Sequence, residues 1–326
     1  MSKSARQKLK LLYLKDILLR ESDEEHPLNS QALIEKLDAL GIEAERKSIY
    51  NDIALLGDYG IDVIKTGGAH GGYFVGSGDF ELAELKLLVD AVQSSHFISA
   101  KKSDSLIRKL SSLTNRYDEN KLKRQVYSVN RVKSGNESIL ITVDTIHDAI
   151  QKNREVGFLY MAWSPEKKLV PKHDGKRYRV SPIALIWDDE YYYLLGIDSE
   201  TDTKKNFRVD KIKDIEALSE ARADISPVNI AEYANKLFGM FSGEDCYVTV
   251  RVPNEKIGIF LDRFGTDISV LKLDNENVSI HTEVAVSGQF YGWIASLGND
   301  IEILGGEKVR EGYISFLKEN LNTYGG

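Results

Sequence analysis

The stretch Glu45-Arg46-Lys47-Ser48-Ile49-Tyr50-Asn51-Asp52-Ile53 carries side chains whose chemistry suits the reading of DNA. Placed on a helix, Ile49, Ile53, Leu55 and Leu56 form the inner face, and Arg46, Lys47, Tyr50 and Asn51 turn to the other side. There Arg can fork onto O6 and N7 of guanine, Asn onto N6 and N7 of adenine, and the Ser48 or Tyr50 hydroxyl onto phosphate. Lys65 and His70 follow in a segment placed to touch an adjacent groove. Any one of these residues equally suits a solvated helix face. Their meaning depends on the elements that position them.

Those elements read in order. Residues 5–19 repeat Leu9, Leu11, Leu12, Leu14, Ile17 and Leu18 at helical spacing, and the first twenty residues set Lys3, Arg6, Lys8, Lys10, Lys15 and Arg20 against Asp16 alone. A second helix starts at an Asn29 or Ser30 cap, buries Leu33, Ile34, Leu37 and Leu40, and stops at Gly41. The third spans residues 45–59. Two strand-like runs, 61–65 and 72–75, are joined by the glycine-rich 66–71. Three short helices followed by a hairpin predict a winged helix-turn-helix over residues 1–77, with Lys65 and His70 on the wing.

Residues 78–137 predict a helical linker, with Leu82, Leu85, Leu88, Val89 and Val92 on one stripe and a further helix over 100–115. Homodimerisation through this region is expected, because a dimer doubles the contact with two half-sites. Residues 138–244 hold a helix at 143–153 and strands at 156–162, 177–186, 191–198 and 205–209, a small antiparallel sheet or barrel. Residues 245–326 run strand, helix, two strands, helix, strand, helix, the order of a split β-α-β sandwich. The fold class is therefore α+β multidomain.

Composition narrows the function. A net charge of −7 over 326 residues speaks against non-specific coating of nucleic acid, which needs a large excess of Lys and Arg. Cys246 is the sole cysteine and the six histidines are scattered, so neither a disulfide, a zinc site nor another cofactor is expected. No apolar run is long enough to span a bilayer, and the N-terminus lacks a secretory core, so the expected location is the cytoplasm. The acidic run Asp188-Asp189-Glu190 is better explained as a hairpin turn than as a metal-dependent nuclease centre, and no nucleophile or phosphate-loop motif accompanies it. Enzyme activity is not expected.

The chain resembles the WYL-domain transcriptional regulators, which join a winged helix-turn-helix, a WYL domain and a C-terminal extension. The resemblance rests on the 45–53 motif, Gly71-Gly72-Tyr73, Arg179-Val180-Ser181-Pro182, Tyr192-Tyr193-Leu194-Leu195-Gly196, Phe207-Arg208-Val209-Asp210-Lys211-Ile212, and Trp293-Ile294-Ala295-Ser296-Leu297-Gly298. It implies a small barrel of the Sm or SH3 type, a ferredoxin-like α/β extension, a double-stranded DNA operator as partner, and a nucleotide or short single-stranded nucleic acid as ligand. The implied ligand residues are Tyr160, Arg179, Ser181, Tyr193, Arg208 and Lys211. Arg and Lys on neighbouring strands would meet phosphate, Tyr would stack on a base, and Asp210 would orient an Arg. The bland alternative for this set is a series of cross-strand ion pairs. Tyr192 replaces the eponymous Trp, Asn51 stands where Arg is common, and Ser181 where many members have His. The expected function is a ligand-responsive DNA-binding regulator. The alternative is a nucleic-acid-responsive regulator of a defence system that binds no promoter.

Overall fold

In a computed structural model of the protein, the described residues are 7–68, 71–76, 78–123, 133, 135–224 and 229–325. The chain divides into two compact units, residues 1–137 and 138–326.

The first unit begins with helices α1 (Lys10–Glu21), α2 (Ser30–Ala39) and α3 (Arg46–Asp58) and an antiparallel hairpin, β1 (Val63–Lys65) with β2 (Tyr73–Val75). Leu14, Ile17 and Leu18 of α1 meet Leu33 and Leu37 of α2 and Ile49 and Leu56 of α3 in one core. The α2 start is capped by the Asn29 side chain, which accepts from the Ala32 amide at 2.9 Å. Glu45 and Ser48 form a capping box at the start of α3. Leu55, expected on the inner face of α3, is 52% exposed. Ile49, Ile53 and Leu56 are spaced i, i+4, i+7 and share a face, whereas Leu55 lies about 100° away from Leu56 around the helix. The hairpin is tied back by a bridge in which Leu28 and Tyr73 exchange N–H···O bonds of 2.8 and 2.9 Å. Helices α4 (Leu82–Ser94), α5 (Ala100–Ser111) and α6 (Arg116–Lys123) follow among the described residues of the unit.

In the second unit α7 (Ile139–Gln151) packs on a sheet of β3 (Arg154–Trp163), β4 (Leu169–Pro171), β5 (Arg177–Asp188), β6 (Tyr191–Asp198), β7 (Thr203–Arg208) and β8 (Ile212–Ala221). Strand β3 takes β5 on one edge and β8 on the other, and the path runs on through β6 to β7. Among the described residues it ends there, so the sheet is open and the expected closed barrel is not formed. The β5–β6 turn places Asp189 and Glu190 at φ 43° and 65°, the paired left-handed geometry of a tight hairpin. After α8 (Ile230–Lys236) come β9 (Glu244–Pro253), α9 (Ile257–Phe264), β10 (Ser269–Lys272), β11 (Asn277–Val286), α10 (Gly288–Ser296), β12 (Glu302–Gly305) and α11 (Glu307–Thr323). The sheet order β10-β11-β9-β12 is antiparallel throughout, and the hairpin strand β11 sits between β9 and β10 as split β-α-β connectivity requires. Alternate residues Val248, Val250 and Val252 of β9 face Phe260, Phe290 and Ile294.

Candidate functional site

The site is built around β7, the last strand on the hydrogen-bonded path. In the β6–β7 pair Tyr193 stands opposite Arg208 and Leu195 opposite Asn206. Phe207 points to the other face and packs edge-on against Phe158 and Tyr160 at 5.2 and 5.3 Å between ring centroids. A cleft of about 650 Å³ opens along this strand. Residues 203–208 run along it, and Tyr160, Lys172, His173, Lys211 and Gly239 to Ser242 also line it.

Arg208 is fixed on three sides. Its Nε and Nη2 donate to Asp210 Oδ1 and Oδ2 at 3.0 and 2.8 Å, and the guanidinium lies 3.7 Å from the Tyr191 ring centroid. Its backbone amide donates to the Tyr160 hydroxyl at 3.1 Å. Burial works against its charge, but the Asp210 pair outweighs it, and the guanidinium is held above its ordinary value. Lys211 goes the other way. Burial lowers its pKa, repulsion from Arg208 and Lys172 adds to the shift, and Asp210 only partly counters it. Burial pushes Tyr193 up to about 12 and raises Tyr160, so both rings remain neutral and protonated. The result is a cationic floor with neutral aromatic walls, which can take a phosphate-bearing, ring-containing molecule.

Of the six ligand residues named from the sequence, Tyr160, Tyr193, Arg208 and Lys211 meet at this cleft. Arg179 and Ser181 lie in a different cluster. Arg179 pairs with Glu155 at 2.8 Å and Glu220 at 3.3 Å. Ser181, 1% exposed, accepts from the Ala223 amide at 2.9 Å and donates to Glu155 at 3.4 Å. These contacts join β3, β5 and β8, the cross-strand alternative weighed above. Tyr192 packs edge-on against Trp187 at 4.6 Å, on the opposite face of β6 from Tyr191 and Tyr193.

The cleft also holds residues that sequence reasoning missed. Lys204, Lys205 and Asn206 precede Phe207 within β7, and their strand position was the available signal. Lys205 is engaged by the buried Asp198 at 2.6 Å. No pattern pointed to Lys172, His173 or Phe241, which arrive from turns distant in sequence.

In the first unit Arg46, Lys47, Tyr50 and Asn51 are exposed on α3, and Lys65 is exposed on β1. Arg46 Nε donates to Ser30 Oγ at 3.0 Å, and the Ser48 hydroxyl serves the capping box. Tyr50 leans toward Tyr73 of the hairpin at 6.3 Å. His70 lies outside the described residues. Lys10, counted with the basic first helix, pairs with Asp52 of α3 at 2.7 Å. Among the described residues no cluster of His, Cys, Asp and Glu is arranged to hold a metal ion, and no helix is long and apolar enough to cross a membrane.

Residues 142–217, which supply most of the cleft, match the WYL domain family. The chain carries a WYL domain. No curated protein matches the sequence. Among solved structures the chain is similar to proteasome accessory factor B/C (PafBC) of Arthrobacter aurescens, at 18% identity over 100% of this chain and a TM-score of 0.27. That match covers 49% of the Arthrobacter chain, so this protein spans about half its length. A CRISPR Cas-related protein is similar at 15% identity over 99% of this chain and 85% of that one, with a TM-score of 0.36.

Proposed function

We propose that the protein is a ligand-responsive DNA-binding regulator that works by binding alone. Its WYL domain would take a nucleotide or short single-stranded nucleic acid, and its N-terminal helices and hairpin would act as a winged helix-turn-helix on a double-stranded operator. One observation carries the sensor half: the cleft gathers Lys172, Lys204, Arg208 and Lys211 beside Tyr160 and Tyr193, and burial, with repulsion from Arg208 and Lys172, disfavours the charge on Lys211. Such a site is relieved by an anion. The DNA half is supported by the exposed row Arg46, Lys47, Tyr50 and Asn51 on a helix whose other face is buried. Exposed Leu87 and Leu88 on α4 support a homodimer through the linker.

The test is fluorescence anisotropy of a labelled short oligonucleotide on the full-length protein. Lys204→Gln with Lys211→Gln is expected to weaken binding at least tenfold, and to flatten its dependence on salt. Unchanged affinity in that double variant would remove the cleft from the account.

A further inference from the structure

Part of the cleft wall does not come from the WYL sheet. It is a turn, Gly239 to Ser242, in the connection between α8 and β9. Gly239 and Met240 both adopt left-handed backbone, φ 58° and 60°, and Met240 is no glycine. Such a conformation in a non-glycine residue persists when its surroundings hold it. Here the Met240 side chain is buried with Tyr193, Leu195 and Leu237. Asn206 of β7 reaches across and donates to the Met240 carbonyl at 3.0 Å and to the Tyr233 hydroxyl at 3.1 Å. The turn is thus clamped to the strand that forms the cleft floor.

What the clamp presents is Phe241. Phe241 is 55% exposed, lines the cleft together with Lys204 and Arg208, and makes no ring or cation contact among the described residues. An exposed apolar ring carried on a clamped turn, in a cleft lined by cations, has ring surface to offer a ligand. The floor adds a second feature. Because the Arg208 amide turns away from β6 to Tyr160, the antiparallel alternation sends the amides of Asn206 and Lys204, with the carbonyls of the same residues, to that outer edge. Lys204 and Arg208 are four residues apart, about 13 Å along a strand, so phosphate donors run in a row while the ring stands to one side. A base-free polyphosphate would use the row and leave the ring bare.

We infer that Phe241 is the platform on which a base of the bound ligand stacks, and that Asn206 is the positioning residue that holds this platform in place. The inference rests on the reading above, that the cleft takes a nucleic-acid ligand, and adds that bases as well as phosphates are recognised. Every base has a π face, so this recognition would favour base-bearing over base-free strands without fixing a sequence.

The experiment compares two labelled probes on the full-length protein: a short oligothymidylate, and the same phosphodiester chain built from abasic residues. Phe241→Ala is expected to weaken the thymidylate about tenfold and leave the abasic probe unchanged, with Phe241→Tyr restoring affinity. Asn206→Ala is expected to lose a smaller part of the same preference, because the ring remains but is less firmly held. Equal affinity of the wild-type protein for the two probes, or a base preference that survives Phe241→Ala, would overturn the inference and leave the phosphate site standing. Lys204→Gln with Lys211→Gln serves as the control: if neither probe responds to it, the underlying site fails and the inference falls with it.

Discussion

Lys211 is the residue whose state reports most directly on the cleft. Burial and the nearby Arg208 and Lys172 hold its pKa down, and a bound phosphate, as an opposite charge, would raise it again. Affinity is therefore full below the pKa of the free site and is lost as pH rises through it, earlier than for an ordinary lysine. Lys211→Arg, which stays charged, is expected to move the alkaline fall in affinity to higher pH, measurable by titrating probe binding against pH. The cluster around Glu155 should behave differently. Ser181→Ala leaves the Ala223 amide without its acceptor and is expected to cost about 1–2 kcal/mol in denaturant unfolding, with ligand affinity unchanged. These two residues also mark how far the sequence reaches at this scale. The Phe207-to-Ile212 motif yielded Arg208, its Asp210 partner and Lys211 because they are neighbours on one strand end. Arg179 and Ser181 share the resemblance, yet an intervening buried Glu155 draws them away from the cleft, and that carboxylate carries no local signal.

Among the elements, the hairpin depends on a close approach that glycine alone permits. A Cβ at Gly72 would stand 2.5 Å from the Leu28 carbonyl carbon and 2.8 Å from the Asn29 nitrogen, both backbone atoms that cannot step aside. Gly72→Ala is expected to break the Leu28–Tyr73 bridge and loosen the hairpin, lowering Tm and weakening duplex binding together. The measurement is thermal unfolding paired with duplex anisotropy, and a fully stable Gly72→Ala protein would contradict the packing described. Most helices and most strands were legible because their apolar residues keep a strict period. Strand β8 was not. Its ladder with β3 shifts register twice, and Ile212, Ile215 and Leu218 recur every third residue, so alternation is erased. Helix α6 was missed for a related reason: Arg116–Lys123 is almost wholly polar and offers no apolar stripe.

For the whole molecule, a sequence of elements gave the order of modules but could not give the wall of the cleft. Phe241 lies far along the chain from Tyr160, and only the packing of Leu237 and Met240 onto Ile186, Tyr193 and Leu195 brings them together. That packing also makes the connection between the WYL sheet and the C-terminal module a part of the ligand site. A regulator of this design requires the ligand to bind two states of the protein with different affinity. Under the proposed function, salt is expected to separate operator binding from ligand binding, with operator affinity falling steeply as phosphate contacts proposed for α3 and the hairpin are screened. The most direct test of the central claim is the affinity of the full-length protein for its operator duplex, measured with the cleft empty and with it saturated by a short single-stranded oligonucleotide. The account predicts a change of at least fivefold that disappears in the Lys204→Gln, Lys211→Gln protein, about the coupling of 1 kcal/mol at which two sites count as linked. An operator affinity that stays the same while the cleft is full would contradict it.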